Sequence, residues 1–162
     1  RNTNLLLAFL RDHNTARSVL DVFNDLYAMF GRETYCRLFP VILTDRGSEF
    51  SNPVPIEQDE NDELRSLVFY CNPSAPYQKG GIEVAHELVR RVLPKGKSFD
   101  DLQQEDIDLM LSHINSYKRG KLNSRSAYQL FNFIYGDDIL PKLNISEIEA
   151  NDIVLSPKLL KK

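Results

Sequence analysis

A short apolar run, a stretch with helical spacing and a second apolar run follow one another within the first 44 residues, and this order constrains the fold more than any other feature. Leu5 to Leu10 are continuously apolar, too few for a helix of their own, and are halted by Arg11-Asp12-His13-Asn14, so they read as a buried strand. Asn14 or Thr15 can cap a helix in which Val19, Val22, Phe23, Leu26 and Phe30 recur at helical spacing, with Gly31 as its stop. Phe39 to Thr44 is apolar and β-branched and runs into the turn residues Asp45-Arg46-Gly47-Ser48. Strand, helix and strand in this order predict a parallel crossover and an α/β fold.

The remainder extends that pattern. Residues 51–64 read as a polar surface loop without a buried stripe, and Leu67 to Cys71 as a third short strand. An irregular connection, Asn72-Pro73-Ser74-Ala75-Pro76 and then Gly80-Gly81, leads to a helix beginning near Ile82 and closed by Pro94. Its apolar stripe is Ala85, Leu88, Val89 and Val92, with Glu83, His86, Glu87 and Arg90 on the other face. Two further helices carry Ile107, Met110, Leu111 and Ile114, then Ala127, Leu130, Phe131 and Ile134 before Gly136. At 162 residues the chain suits a single domain, with about 1–93 as the core and about 94–162 as a helical carboxyl-terminal part.

Composition excludes several classes. The chain is 42% hydrophobic and 27% charged, and Leu5 to Leu10 falls far short of a membrane span or signal segment, so a cytoplasmic protein without a membrane partner is expected. Cys36 and Cys71 lack CxxC spacing and read as reduced core thiols. The formal charge of −3 hides segregation. Acidic blocks at 57–63 and 100–108 alternate with basic stretches holding Lys79, Arg90, Arg91, Lys95 and Lys97, and then Lys118, Arg119, Lys121 and Arg125. Such runs are solvated surface or a DNA-binding face.

Chemistry is concentrated at two acids. Asp45 stands at the carboxyl end of a predicted parallel strand, where open sheets hold ligands, and can face a hard cation or simply close an Asx turn with Gly47. Glu83 lies in the first turn of its helix, where a carboxylate suits the helix dipole with or without a function. His86 and Glu87 follow on the same face without HExxH order, and His13 and His113 read as a loop residue and a helix residue. Serine-hydrolase, Walker and dinucleotide-binding motifs are absent from the sequence.

Residues 41–50, Val-Ile-Leu-Thr-Asp-Arg-Gly-Ser-Glu-Phe, resemble the strand with the second catalytic aspartate of DDE transposases and integrases, usually written T-D-N-G-x-E-F. Phe69 to Pro73 and Pro76 to Glu83 resemble the following strand, loop and glutamate helix. Leu93 to Gly96, Ile114 to Arg119 and Ser126-Ala127-Tyr128 are similar to the downstream signature of the thirty-family of bacterial insertion-sequence transposases, so the resemblance covers nearly the whole chain.

The resemblance implies an incomplete ribonuclease-H-like, retroviral-integrase-like core with additional carboxyl-terminal helices. It implies DNA transposition, integration and recombination by strand transfer with two Mg²⁺ or Mn²⁺ ions. Asp45 and Glu83 match the second and third acids as catalytic metal ligands, while Glu49, Asn72 and His86 are supporting positions. Lys79, Arg90, Arg91, Lys95, Lys97, Lys118, Arg119, Lys121 and Arg125 are the DNA-binding candidates. The implied partners are transposon ends and target DNA at the nucleoid, with room for a homo-oligomer.

Three departures qualify it. The family's first aspartate lies on an earlier strand that these residues do not contain, and Asp12 and Asp21 are poor substitutes, so the chain alone is expected to be inactive. The amino-terminal DNA-recognition region is missing, and Arg46 stands where asparagine is usual, where an ion pair with Asp45 is expected over a phosphate contact. The rival reading is a non-catalytic remnant that binds DNA or a transposase subunit.

Overall fold

The computed structural model describes residues 3–72, 80–96 and 98–160. Its described residues form a mixed α/β structure with six helices and one two-stranded sheet. The chain divides into two compact units: a central one, Arg11–Gln78, and a terminal one, Arg1–Leu10 with Lys79–Lys162.

In the central unit, helix α1 (Ala16–Leu38) starts where Thr15 and Ser18 cap each other reciprocally. Gly31 adopts φ 72° and ψ 163°, a backbone that glycine tolerates without a Cβ penalty. It breaks the helical path, as expected, but the helix resumes and ends at Leu38. Strands β1 (Val41–Thr44) and β2 (Leu67–Tyr70) then pair in parallel, Val41 opposite Leu67 and Thr44 opposite Tyr70, whereas the crossover expected through α1, from Leu5–Leu10 to Phe39–Thr44, is not found among the described residues. Val41, Leu43, Leu67 and Phe69 are all exposed apolar residues of this sheet.

The segment 51–64 is more than a polar loop. It holds the short helix α2 (Val54–Glu57), whose Ile56 is buried and whose Glu57 carboxylate accepts the Val68 N–H at 2.9 Å. Arg65 is only 3% exposed. Its guanidinium donates to the Ile56 and Pro55 carbonyls and to Asn24 Oδ1, and lies over the rings of Tyr27 and Tyr35. Such a buried cation is tolerated because its donors are matched and the aromatic faces are electron-rich. Asp59 ties the same segment together, accepting from Tyr27, Arg32 and the Asn61 and Glu63 amides, and this donor set holds its carboxyl below the usual range. Cys36 and Cys71 are free thiols, as expected.

The terminal unit contains α3 (Gly80–Val92), α4 (Gln104–Ser116), α5 (Ala127–Tyr135) and α6 (Ile139–Lys142). Leu88, Val92, Ile107, Met110, Leu111, Ile114, Ala127 and Phe131 are buried, as their spacing predicts, together with Ile139 and Leu140. Ser126 and Gln129 make a capping box at the start of α5, and Gly136 at φ 97° follows its end.

Leu5 to Leu10 is not a strand. The segment lacks sheet pairing, its residues are half-buried or exposed, and side chains of α4 satisfy its backbone instead. Asn115, fully buried, accepts the Leu6 N–H at 2.9 Å and donates to the Leu6 carbonyl at 2.8 Å. Gln104, near the other end of α4, accepts the Leu10 N–H at 2.9 Å and donates to the Ala8 carbonyl at 3.2 Å. Each carboxamide offers both a donor and an acceptor, which is what a neighbouring strand would offer.

The same helix also holds the carboxyl-terminal segment. Ser112 Oγ accepts from Ser146 N–H, Ser116 Oγ from Ile148 N–H and His113 Nδ1 from Val154 N–H, at 3.1, 2.9 and 3.1 Å. His113, read from the sequence as a helix residue, is therefore a buried backbone acceptor.

Two predictions follow from this helix. Asn115→Leu keeps the branched shape but strips both partners from Leu6, so unfolding free energy should fall by about 2–6 kcal/mol in urea titrations, at roughly 1–3 kcal/mol for each of the two orphaned groups. His113 must be neutral at Nδ1 to accept Val154, and burial pushes its pKa below the ordinary imidazole value against the opposing charge of Asp152. The unfolded chain then binds the proton more readily, so the contribution is complete above about pH 6.5 and is lost as pH falls through the lowered folded value. The urea midpoint should drop between pH 7 and pH 5, and His113→Gln should flatten that dependence.

Candidate active site and nucleic-acid interface

Asp45 directly follows the last residue of β1 and is exposed, while its neighbour Thr44 is buried. The Gly47 N–H donates to Asp45 Oδ1 at 3.2 Å, so the Asx turn forms and fixes the carboxylate at the strand's carboxyl end. Cys71 N–H bonds to the Thr44 carbonyl, which brings the chain just after β2, at Cys71 and Asn72, alongside the Asp45 turn. Ser48–Phe50 makes a 3₁₀ turn, and Glu49 folds its carboxylate over Gly47. A Cβ on Gly47 would stand 2.6 Å from Glu49 Oε2, so glycine is needed for that packing unless the flexible glutamate moves. Asp45, Glu49 and Asn72 thus lie at the same end of the sheet. Arg46 is exposed beside them.

Glu83 is exposed in the first turn of α3, within the terminal unit. His86, Glu87, Arg90 and Arg91 are exposed further along the same helix, and Arg91 is paired with Glu87 at 2.6 Å. That bond holds the Arg91 pKa above its ordinary value. His86, Arg90, Lys95 and the exposed Phe99 line a cavity of about 310 Å³ with Val89 and Pro94. Among the described residues no group of three or more His, Cys, Asp and Glu side chains is arranged to hold a metal ion.

The second basic stretch separates into two kinds of residue. Arg119 and Arg125 pair their backbones to close a compact loop, in which Asn123 and Ser124 adopt left-handed conformations. Lys118, Lys121 and Arg125 are exposed. Arg119 is instead partly buried, and its guanidinium donates to the Asn4 and Ile114 carbonyls, each at 3.3 Å. Burial lowers its pKa, and its Nε–H has no partner among the described residues. This inward role depends in part on the Asn4 carbonyl, 115 residues away in sequence, which no local pattern announces. Lys79 and Lys97 lie outside the described residues.

Three curated relatives bear on identity. The chain is 30% identical over 120 residues to a protein of Spiroplasma virus SpV1-R8A2 B named as an integrase, covering 74% of this chain and 35% of that one. It is 35% identical over 63 residues to the transposase for insertion sequence element IS1086 of Cupriavidus metallidurans, covering 39% and 19%. A transposase for insertion sequence element IS4351 of Bacteroides fragilis is 27% identical over 94 residues, covering 58% and 28%. The chain is a relative of insertion-sequence transposases and integrases. It spans about a third or less of the length of these relatives. No family model and no solved structure matches it. Among the described residues no helix is long and apolar enough to cross a membrane.

For this transposase relative, Arg119→Gln should lower the melting temperature by several degrees, since about 1–3 kcal/mol accompanies loss of buried hydrogen bonds. Lys121→Gln, on an exposed side chain, should leave it within a degree. A thermal melt of the two variants separates the inward cation from the outward one.

Proposed function

We propose that the chain carries part of a DDE transposase catalytic core, ribonuclease-H-like in fold, and serves DNA transposition by metal-dependent phosphodiester strand transfer. The observation that carries this reading is the turn after β1, where Asp45 sits at the carboxyl end of a parallel pair, with Gly47 closing the turn and Asn72 following the neighbouring strand. The relatives' names, transposases for insertion sequence elements, support DNA as the substrate.

Strand transfer needs a deprotonated water or 3′-hydroxyl in line with a leaving oxygen, and Mg²⁺ or Mn²⁺ supplies Lewis-acid charge for it when bound. Asp45 and Glu83 are the two acids of this chain assigned to that cation, and a third carboxylate has to come from outside these 162 residues. Glu49 and Asn72 support the Asp45 turn, and His86 lies one turn along α3 from Glu83. Arg90, Arg91, Lys95, Lys118, Lys121 and Arg125 supply positive charge for the phosphates of transposon ends and target, in the cytoplasm at the nucleoid. The rival reading is a non-catalytic protein that binds DNA or a transposase subunit.

A strand-transfer assay separates the two. In a protein that joins these residues to an aspartate-bearing upstream strand, joining should require Mg²⁺ or Mn²⁺, and Asp45→Asn or Glu83→Gln should abolish it with duplex binding kept within about twofold. The 162 residues alone should bind duplex DNA weakly, with an affinity that falls as salt rises. Joining that survives both substitutions would overturn the assignment of Asp45 and Glu83, and duplex binding without any joining would leave only the binding role.

A further inference from the structure

A cavity of about 360 Å³ opens in the terminal unit between α3, the end of α4 and the carboxyl-terminal segment. Arg91, Tyr117, Lys118, Ala150, Ile153 and Leu155 line it. Its volume falls within the range of small-ligand sites. Two cations, one aromatic ring and an apolar wall make an uncommon combination. The cations suit an anion, while the ring and the wall suit something flat and apolar attached to that anion.

The cavity is built, not incidental. Tyr117 directly follows α4 and is 39% exposed, so its ring is neither core nor free in solvent. The wall formed by Ile153 and Leu155 is held beside it by the Val154 N–H bond to His113, and the chain leading to it by the Ile148 N–H bond to Ser116. Arg91 comes from α3 with one nitrogen on Glu87, which leaves most of the five donors of its guanidinium uncommitted to that acid. Lys118 is exposed at the rim.

We propose that this cavity receives one nucleotide of a single DNA strand, its base stacked on Tyr117 and its flanking phosphates met by Lys118 and Arg91. The inference rests on the DNA-binding part of the reading above and deepens it, because a base is free to enter only where the duplex is opened. An aromatic platform beside cations is the arrangement by which proteins hold single strands without reading their sequence. A free nucleotide presents the same base and phosphate, whereas an acidic peptide would use the cations and leave the ring unemployed.

Fluorescence anisotropy with the full chain tests it, using labelled oligothymidylate, a duplex of equal length, thymidine monophosphate as competitor and labelled polyglutamate. Tyr117→Ala should weaken oligothymidylate binding by roughly 5- to 150-fold, the range given by stacking on one ring, and leave duplex affinity and the salt slope unchanged. Tyr117→Phe should bind as the parent does. Lys118→Gln should reduce the single-strand salt slope by about 0.7. The proposal is overturned if Tyr117→Ala binds oligothymidylate normally, if Tyr117→Phe is as weak as Tyr117→Ala, or if polyglutamate binding depends on Tyr117 to the same degree. Competition by thymidine monophosphate at concentrations equal to those of oligothymidylate nucleotides would overturn the strand as the ligand in favour of the free nucleotide. Duplex binding alongside oligothymidylate binding that Tyr117→Ala leaves unchanged would remove this inference alone, while failure of both DNA forms to bind would remove the DNA-binding reading with it.

Discussion

Helix α4 satisfies the backbone of two segments that pair with no strand among the described residues, and the terminal unit depends on this. The helix is apolar on the face that Ile107, Met110, Leu111 and Ile114 share, but Asp108, Ser112, His113, Asn115 and Ser116 are buried as well. A buried polar group is costly unless it is bonded. Four of these five side chains, Ser112, His113, Asn115 and Ser116, are matched to backbone amides or carbonyls of residues 6, 146, 148 and 154. Asp108 accepts from Gln104 and Asn144, which makes the network continuous with the Gln104 contacts to Ala8 and Leu10. Apolar burial gathers the helices, and these bonds decide which extended segments lie against them.

The helices were legible because their apolar spacing is local, and the two strands were legible as short apolar runs, but their pairing was not: the expected crossover ran through α1 from Leu5–Leu10, and β1 pairs instead with β2. Thr15, Ser126 and Gly136 mark their helix ends through contacts spanning three or four residues. What escaped reading was non-local. Leu5 to Leu10 has a buried strand's composition, yet its partners are carboxamides 94 to 109 residues away in sequence. Ile56 looks like part of a polar loop, and Arg65 just beyond it carries no signal of burial, until Asn24, Tyr27 and Tyr35 of α1 surround the guanidinium. Asp45 and its turn could be found because the motif is contiguous. Arg119 could not be told from its basic neighbours, since its carbonyl partners, Asn4 above all, are fixed only by folding.

The two acids that matter most to the functional reading arise from different structural logic. Asp45 is fixed by a strand end and a closed turn, so its backbone has little choice of conformation. Glu83 stands on the solvent face of an amphipathic helix, where the opposite stripe, Leu88 and Val92, sets its direction. One is oriented by hydrogen bonds within three residues and the other by burial of a different face. Substitutions near the first act through the turn, and substitutions near the second act through the helix's packing.

The pairing of α4 side chains with backbone groups also bears on how such a chain can diverge. Two side chains in contact can drift together, a larger one on one side offset by a smaller one on the other, and cores accept such exchanges when volume is kept. Leu88 and Val92 have that latitude. Proline aside, which has no N–H, the amide and carbonyl of Leu6 do not change when the residue does, so substitution at position 6 does not restore both bonds lost at Asn115. Drift at Asn115 is therefore confined to residues that both donate and accept at that reach, whatever happens to the sequence of the segment it holds.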